Sequence, residues 1–210
     1  MRSTTALATM LAAGLAGCGG PRPPALDYLP PSGNPAAKRS AVVRQPPWLV
    51  WSSILDHLEQ RGLPAGELDE ATGEMVVHYA GDPEPYVDCG WIVAYQKDEL
   101  DRTPAAIAEA SFLRRHGGEV VTVERDLRLD ARMSVLVEPD GEAAVVRTES
   151  VYALTKTIAP QATDEALHAE TISFRSGESG AFSSGTTCQP TGDLERLVLD
   201  ALPALSLAGS

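Results

Sequence analysis

Between Val121 and Val137 apolar and polar residues alternate almost without interruption. Val121, Val123, Leu127, Leu129, Ala131, Met133, Val135 and Val137 fall on one face; Glu124, Asp126, Arg128, Asp130, Arg132 and Ser134 fall on the other, and Arg125 alone breaks the apolar side. A period of two over this length specifies a long antiparallel strand with one face in water. Asp140-Gly141 is a strong two-residue hairpin signal, and the return strand is read over residues 143–157. With those two residues as the loop, Val135 faces Val146, Met133 faces Thr148 and Leu129 faces Tyr152. On the wet face Arg132 then meets Glu149.

Elsewhere the period changes. Trp48, Trp51, Ile54, Leu55 and Leu58 recur at helical spacing after Pro46-Pro47, and Gly62 stands where a C-cap belongs, which predicts an amphipathic helix over 48–61. Residues 74–80 and 86–95 read as two strands joined through Gly81-Asp82-Pro83-Glu84-Pro85, with Val87, Cys89, Trp91, Val93 and Tyr95 inward. Thr103-Pro104 has the form of an N-cap followed by a first-turn proline, and Gly117 that of a stop, giving a second helix over 104–115. A strand over 169–175, a Gly/Ser-rich loop over 177–187 and a closing helix over 193–202, with Leu194, Leu197, Val198, Ala201 and Leu202 buried, complete the series. The order predicts an α+β fold: one domain in which an antiparallel sheet with a long hairpin packs on two or three helices.

The first 47 residues follow other rules. Arg2 precedes the apolar run 6–16, which falls short of the roughly 20 residues a membrane-spanning helix needs and reads as a signal-peptide core. It ends in Leu15-Ala16-Gly17-Cys18, which resembles the lipobox of bacterial lipoproteins. The resemblance implies cleavage of residues 1–17 before Cys18, acylation of that cysteine, and stable anchoring, since three acyl chains exceed the two signals that anchoring requires. It also implies residence in the bacterial cell envelope. Gly19, in place of the aspartate that retains such proteins at the inner membrane, favours the outer membrane with the domain in the periplasm. Residues 19–47 are crowded with proline, glycine, serine and alanine, a composition suited to an extended tether. Within it Tyr28 and Leu29 are either idle linker or a segment that docks on a partner or on its own domain. The division is thus 1–17 signal peptide, 18–47 acylated cysteine and tether, and 48–210 a single domain.

Charge and cysteine count narrow the chemistry. The net charge is −12, and loss of residues 1–17, which carry only Arg2, makes it one unit more negative. That balance argues against nucleic acid and anionic head-group surfaces as partners. With Cys18 committed to lipid, Cys89 and Cys188 remain as a pair in an oxidising compartment, where a disulfide is expected.

Catalytic chemistry finds no motif to occupy. His57, His78, His116 and His168 have no metal-ligand spacing, and Ser179 in Gly177-Glu178-Ser179-Gly180-Ala181 lacks the second glycine of a nucleophile elbow. The acidic set Glu67, Asp69, Glu70 and Glu74 does not match a calcium loop. No catalytic residue, metal or cofactor is therefore assigned. The helix opened by Trp48 and Trp51, the turn at Gly62, and the extended segments 75–79 and 91–95 resemble the helix-grip modules of BamC-type accessory lipoproteins of outer-membrane assembly. That resemblance implies a non-catalytic, membrane-anchored module that binds envelope proteins. Arg128, Arg132, Arg147 and Glu149 on the wet face of the hairpin are the candidate partner surface, together with the loop 177–187. Two further readings stand beside it: an envelope hydrolase without a recognisable motif, and a carrier of an apolar ligand in a cavity lined by Trp91, Met133 and Tyr152.

Cys18 generates the first test. The mature protein is expected to begin at Cys18, to label with palmitate and to sediment with membranes, whereas the Cys18→Ser chain is expected in the soluble, unlabelled fraction. A wild-type chain that carries no acyl group would refute the lipobox reading.

Overall fold

The computed structural model describes residues 25–37, 39–63, 65–69, 71–96, 99–116, 119–160 and 168–202. The expected signal peptide and Cys18 lie outside them. The described part opens with β1 (Ala25–Leu29), β2 (Arg39–Val43) and α1 (Pro47–Gln60), followed by β3 (Ala65–Asp69), β4 (Glu74–Gly81), β5 (Val87–Asp88) and β6 (Trp91–Gln96). Next come β7 (Glu99–Pro104), β8 (Glu109–His116), β9 (Glu119–Asp140) and β10 (Ala143–Pro160). The chain continues through β11 (His168–Arg175), β12 (Gly180–Ala181), β13 (Thr187–Pro190) and α2 (Asp193–Asp200).

The alternating stretch forms the 22-residue β9, and β10 returns antiparallel along its length. The loop is Gly141-Glu142, one residue later than expected, and Asp140 pairs with Ala143. Gly141 takes φ +61, the left-handed conformation that a tight hairpin demands at its first loop position. Moving a loop by one residue moves the register by two: Val137 faces Val146, Val135 faces Thr148, Leu129 faces Leu154, and Arg132 faces Val151. Because side chains repeat every two residues, the same apolar set stays inward. Arg132 and Glu149 share the outer face as diagonal neighbours instead of a direct pair.

The expected α+β fold is corrected to a β-rich one, with thirteen strands and two short helices among the described residues. Two features account for the difference. The helix expected over 104–115 is absent; Ala105–Ala108 is a tight connection and β8 runs out along β9 from Glu109 to His116. β4 covers only Leu129–Leu136 of β9, so the outer-edge backbone groups of Glu119–Asp126 would lack partners without β8, and that demand overrides the local helix-cap signal. The segment expected as a tether also enters the fold, β1 pairing with β6 and β2 with β10. Tyr28 docks on its own domain, donating its hydroxyl to the Thr187 carbonyl at 3.0 Å and accepting the Thr187 amide at 2.9 Å.

The hairpin expected between 74–80 and 86–95 does not form either. β4 lies between β3 and β9 in the seven-stranded sheet, while β6 lies between β1 and β7 in a separate three-stranded sheet. The break falls at Gly90, with φ +76, where a Cβ would stand 2.0 Å from the Leu29 carbonyl oxygen. Only glycine lets the end of β1 pass there. Trp91, expected inward, is 45% exposed beside this break.

One face of the large sheet carries the core. Val50, Ile54 and Leu58 of α1 and Leu194 and Val198 of α2 bury against Met75, Met133, Val135, Tyr152 and Phe174. Each fully buried aliphatic side chain contributes about 1.5–3 kcal/mol. Glu195, which the helical period places off the apolar stripe, is 0% exposed. Its carboxylate accepts hydrogen bonds from the Tyr152 hydroxyl at 2.9 and 3.0 Å and from Ser176 Oγ at 2.7 Å. Burial, then the Glu195 charge, push the Tyr152 hydroxyl well above the usual tyrosine range.

Cys89 and Cys188 form the expected disulfide, their Cα atoms 4.0 Å apart, and it ties the end of β5 to β13. Closing a loop with a separation of 99 residues gives a stabilisation of about 4.7 kcal/mol in the chain-entropy model. Non-reducing peptide mapping should recover one Cys89–Cys188 linkage. The Cys89→Ala/Cys188→Ala chain should unfold at lower urea, with a loss of about 2–5 kcal/mol.

Candidate functional site

The long hairpin outruns its helices. Past Leu127 on β9 and Leu154 on β10 the inner face of the large sheet is covered instead by the sheet β1-β6-β7, and the two sheets enclose a cleft of about 470 Å³. That volume suits a single small-molecule ligand, since such pockets run from about 300 to 1,000 Å³. The wall from the small sheet is built of cross-strand rows: Leu26, Ala94 and Asp101 lie side by side, and Ile92 pairs with Thr103 in the next row. The opposite wall is the row Ala110, Arg125, Ile158 with its neighbours Phe112 and Leu127. Phe182, buried in the segment expected as a Gly/Ser-rich loop, closes one end.

Both buried cations among the described residues line this cleft. Arg125, the single interruption of the apolar side of β9, is 8% exposed, and Lys156 is 7% exposed. Leu127 faces Lys156 and Ile158 faces Arg125 across the ladder, so the two cations are diagonal neighbours on the inner face. Lys156 is well compensated. Its Nζ lies 3.3 Å from Glu170, donates to Ser184 Oγ at 3.1 Å, and stands 4.0 Å from the centre of the Phe182 ring. Arg125 is not. Its two terminal nitrogens donate to the carbonyls of Ala105 and Ile107 at 3.0 and 2.9 Å, which fixes the β7–β8 connection, but its Nε–H has no partner.

Among the described residues no carboxylate pairs with Arg125. Glu109, Glu124 and Asp126 edge a smaller depression that also reaches it, yet Asp126 is turned to Arg128 at 3.0 Å. Burial lowers the Arg125 pKa, although a guanidinium stays charged at physiological pH. A desolvated cation supported by backbone carbonyls and lacking a counter-ion is costly in a folded protein.

The sequence-derived sites fall elsewhere. Met133 and Tyr152 sit in the helix-covered core and Trp91 on the surface, so the cavity expected from them is not the one present. Arg128, Arg132, Arg147 and Glu149 do share the outer face of the hairpin. They are strung along it, with Arg128 held by Asp126 and Arg147 by Glu138. Asp69 serves its own turn, accepting the Ala71 and Thr72 amides at 2.9 and 3.3 Å. His78 lies on β4, His57 on α1, and His168 stands 3.5 Å from Glu170. The described residues contain no cluster of metal-ligating side chains and no helix long and apolar enough to cross a membrane. Arg125 is visible in the sequence as a break in the alternation; its neighbour Lys156, though within the return strand read over 143–157, does not stand out because Thr148 and Ser150 already interrupt the apolar side of that strand. No family model, curated protein or solved structure matches the chain.

Glu170 links the cleft to pH. Hydrogen bonds from the Ser183 amide and hydroxyl, with those from Lys156 and His168, hold its carboxyl down at about 2, against an ordinary 4.5. A carboxylate depressed on folding stabilises the protein above pH 4.5, and that contribution disappears as the pH falls toward 2. Urea midpoints measured across this window should fall more steeply for the wild type than for Glu170→Gln.

Proposed function

We propose that this chain is a lipid-anchored protein of the bacterial envelope that acts by binding, holding an apolar ligand in the cleft between its seven-stranded sheet and the sheet β1-β6-β7. The observation that carries this reading is the cleft itself, a preformed space walled by Leu26, Ile92, Ala94, Phe112, Leu127 and Ile158 that the protein's own side chains leave unfilled. Apolar walls with a few polar groups converging on them are the usual form of a small-molecule site. Acylation at Cys18 supports the same reading from the sequence, because it keeps the cleft close to a source of apolar molecules.

Organic extraction of the full chain carrying Cys18→Ser, purified without detergent, is expected to release one apolar molecule per chain. Replacing Ala94, on the cleft wall, with tryptophan fills the space and should reduce binding of an added long-chain alcohol at least about tenfold, an expectation based on lost apolar burial of more than 1.4 kcal/mol. An empty extract, together with no binding of the alcohol by the Cys18→Ser chain, would rule out the carrier function.

A further inference from the structure

We infer that the ligand of this cleft is an amphiphile with a single apolar chain and one anionic head group, and that Arg125 and Lys156 receive the head group. The inference rests on the apolar-ligand reading above and adds the charge of the ligand to it. Its basis is a mismatch. The cleft walls are mostly apolar, yet the two cations buried among the described residues both open onto them as diagonal neighbours on one sheet face. Of these Lys156 already has Glu170, while Arg125 has only two carbonyls and an orphaned Nε–H. The other charged lining residue, Asp101, is exposed at the rim of the small sheet.

An anionic oxygen placed beside Arg125 in the cleft supplies the counter-ion that the described residues do not. A guanidinium presents its donors in a fork that fits carboxylate and phosphate oxygens. Leu26, Ile92, Phe112 and Phe182 then face the chain. The geometry excludes the reverse placement, because an apolar group against Arg125 would bury an uncompensated charge without relief. Carboxylate and phosphate heads share this chemistry, and the experiment separates them.

Dodecanoate, dodecyl phosphate and dodecanol would be titrated at pH 8 against the full chain carrying Cys18→Ser, with displacement of the neutral fluorophore Nile red as the readout. At least one of the two anions should bind about tenfold to a hundredfold tighter than the alcohol, the range for a hydrogen bond to a charged group. The order of the two anions identifies the head group. Arg125→Gln should remove most of the advantage of the anions over dodecanol, each compared within the same variant. Lys156→Met should produce a smaller loss in the same direction. The wild-type comparison is decisive even where a variant fails to fold. Dodecanol binding as tightly as both anions would overturn the head-group assignment and leave the apolar cleft standing. Acetate or inorganic phosphate displacing the dye as well as the long-chain anions would overturn the amphiphile. Absence of binding by all three long-chain compounds would overturn the cleft reading beneath it.

Discussion

A strand of 22 residues carries more backbone donors and acceptors than any one neighbour satisfies, and the fold is organised around meeting that demand. β9 and β10 satisfy each other along one edge apiece. Each outer edge is then completed by two strands in tandem: β4 and β8 along β9, β2 and β11 along β10. The joints between tandem strands are the delicate points, since unpaired buried amides cost about as much as lost hydrogen bonds. On β9 the joint is closed by the Leu127 amide donating to the Ala108 carbonyl at 2.7 Å. On β10 it is closed by Ser176, whose Oγ accepts the Ser150 amide at 2.8 Å and whose own amide donates to the Ser150 carbonyl at 3.0 Å. Glu195 is buried for this reason: it accepts the Ser176 hydroxyl proton, so that the oxygen lone pairs are directed to the ladder.

The same length that creates the edges creates the cleft. Two helices of 14 and 8 residues cover one stretch of the inner face, and beyond them the sheet needs another cover. The small sheet supplies it at a distance, leaving space between. Arg125 stands at this transition, reaching the connection between β7 and β8 through Ala105 and Ile107. It thereby joins the large sheet to the small one, and a ligand that engages it engages both.

The sequence disclosed periodic features well and long-range features poorly. The long alternation named the inward residues of β9 correctly because pleat geometry is local. The register was two residues out, since Asp140-Gly141 as a pair does not reveal that Asp140 still belongs to the strand. Thr103-Pro104 mimics a helix start, and nothing near it shows that β9 has an edge to fill. Proline-rich composition concealed β1 and β2, whose partners lie more than 60 residues away. The disulfide followed from compartment and count, not from pattern. Of the cleft, Arg125 was legible as an anomaly, while the walls depend on rows assembled from strands distant in sequence.

The docking of β1 changes how far this protein can reach. A free tether over 19–47 would let the domain explore a volume tens of ångströms deep, as a flexible chain of that length does. With β1 held against β6 from Ala25 onward, six residues separate it from the anchor proposed at Cys18, and they span at most about 20–22 Å. If Cys18 carries the proposed anchor, so short a link would keep the domain close to the bilayer surface, and exchange between membrane and cleft would be a short transfer across an interface instead of a search through bulk water.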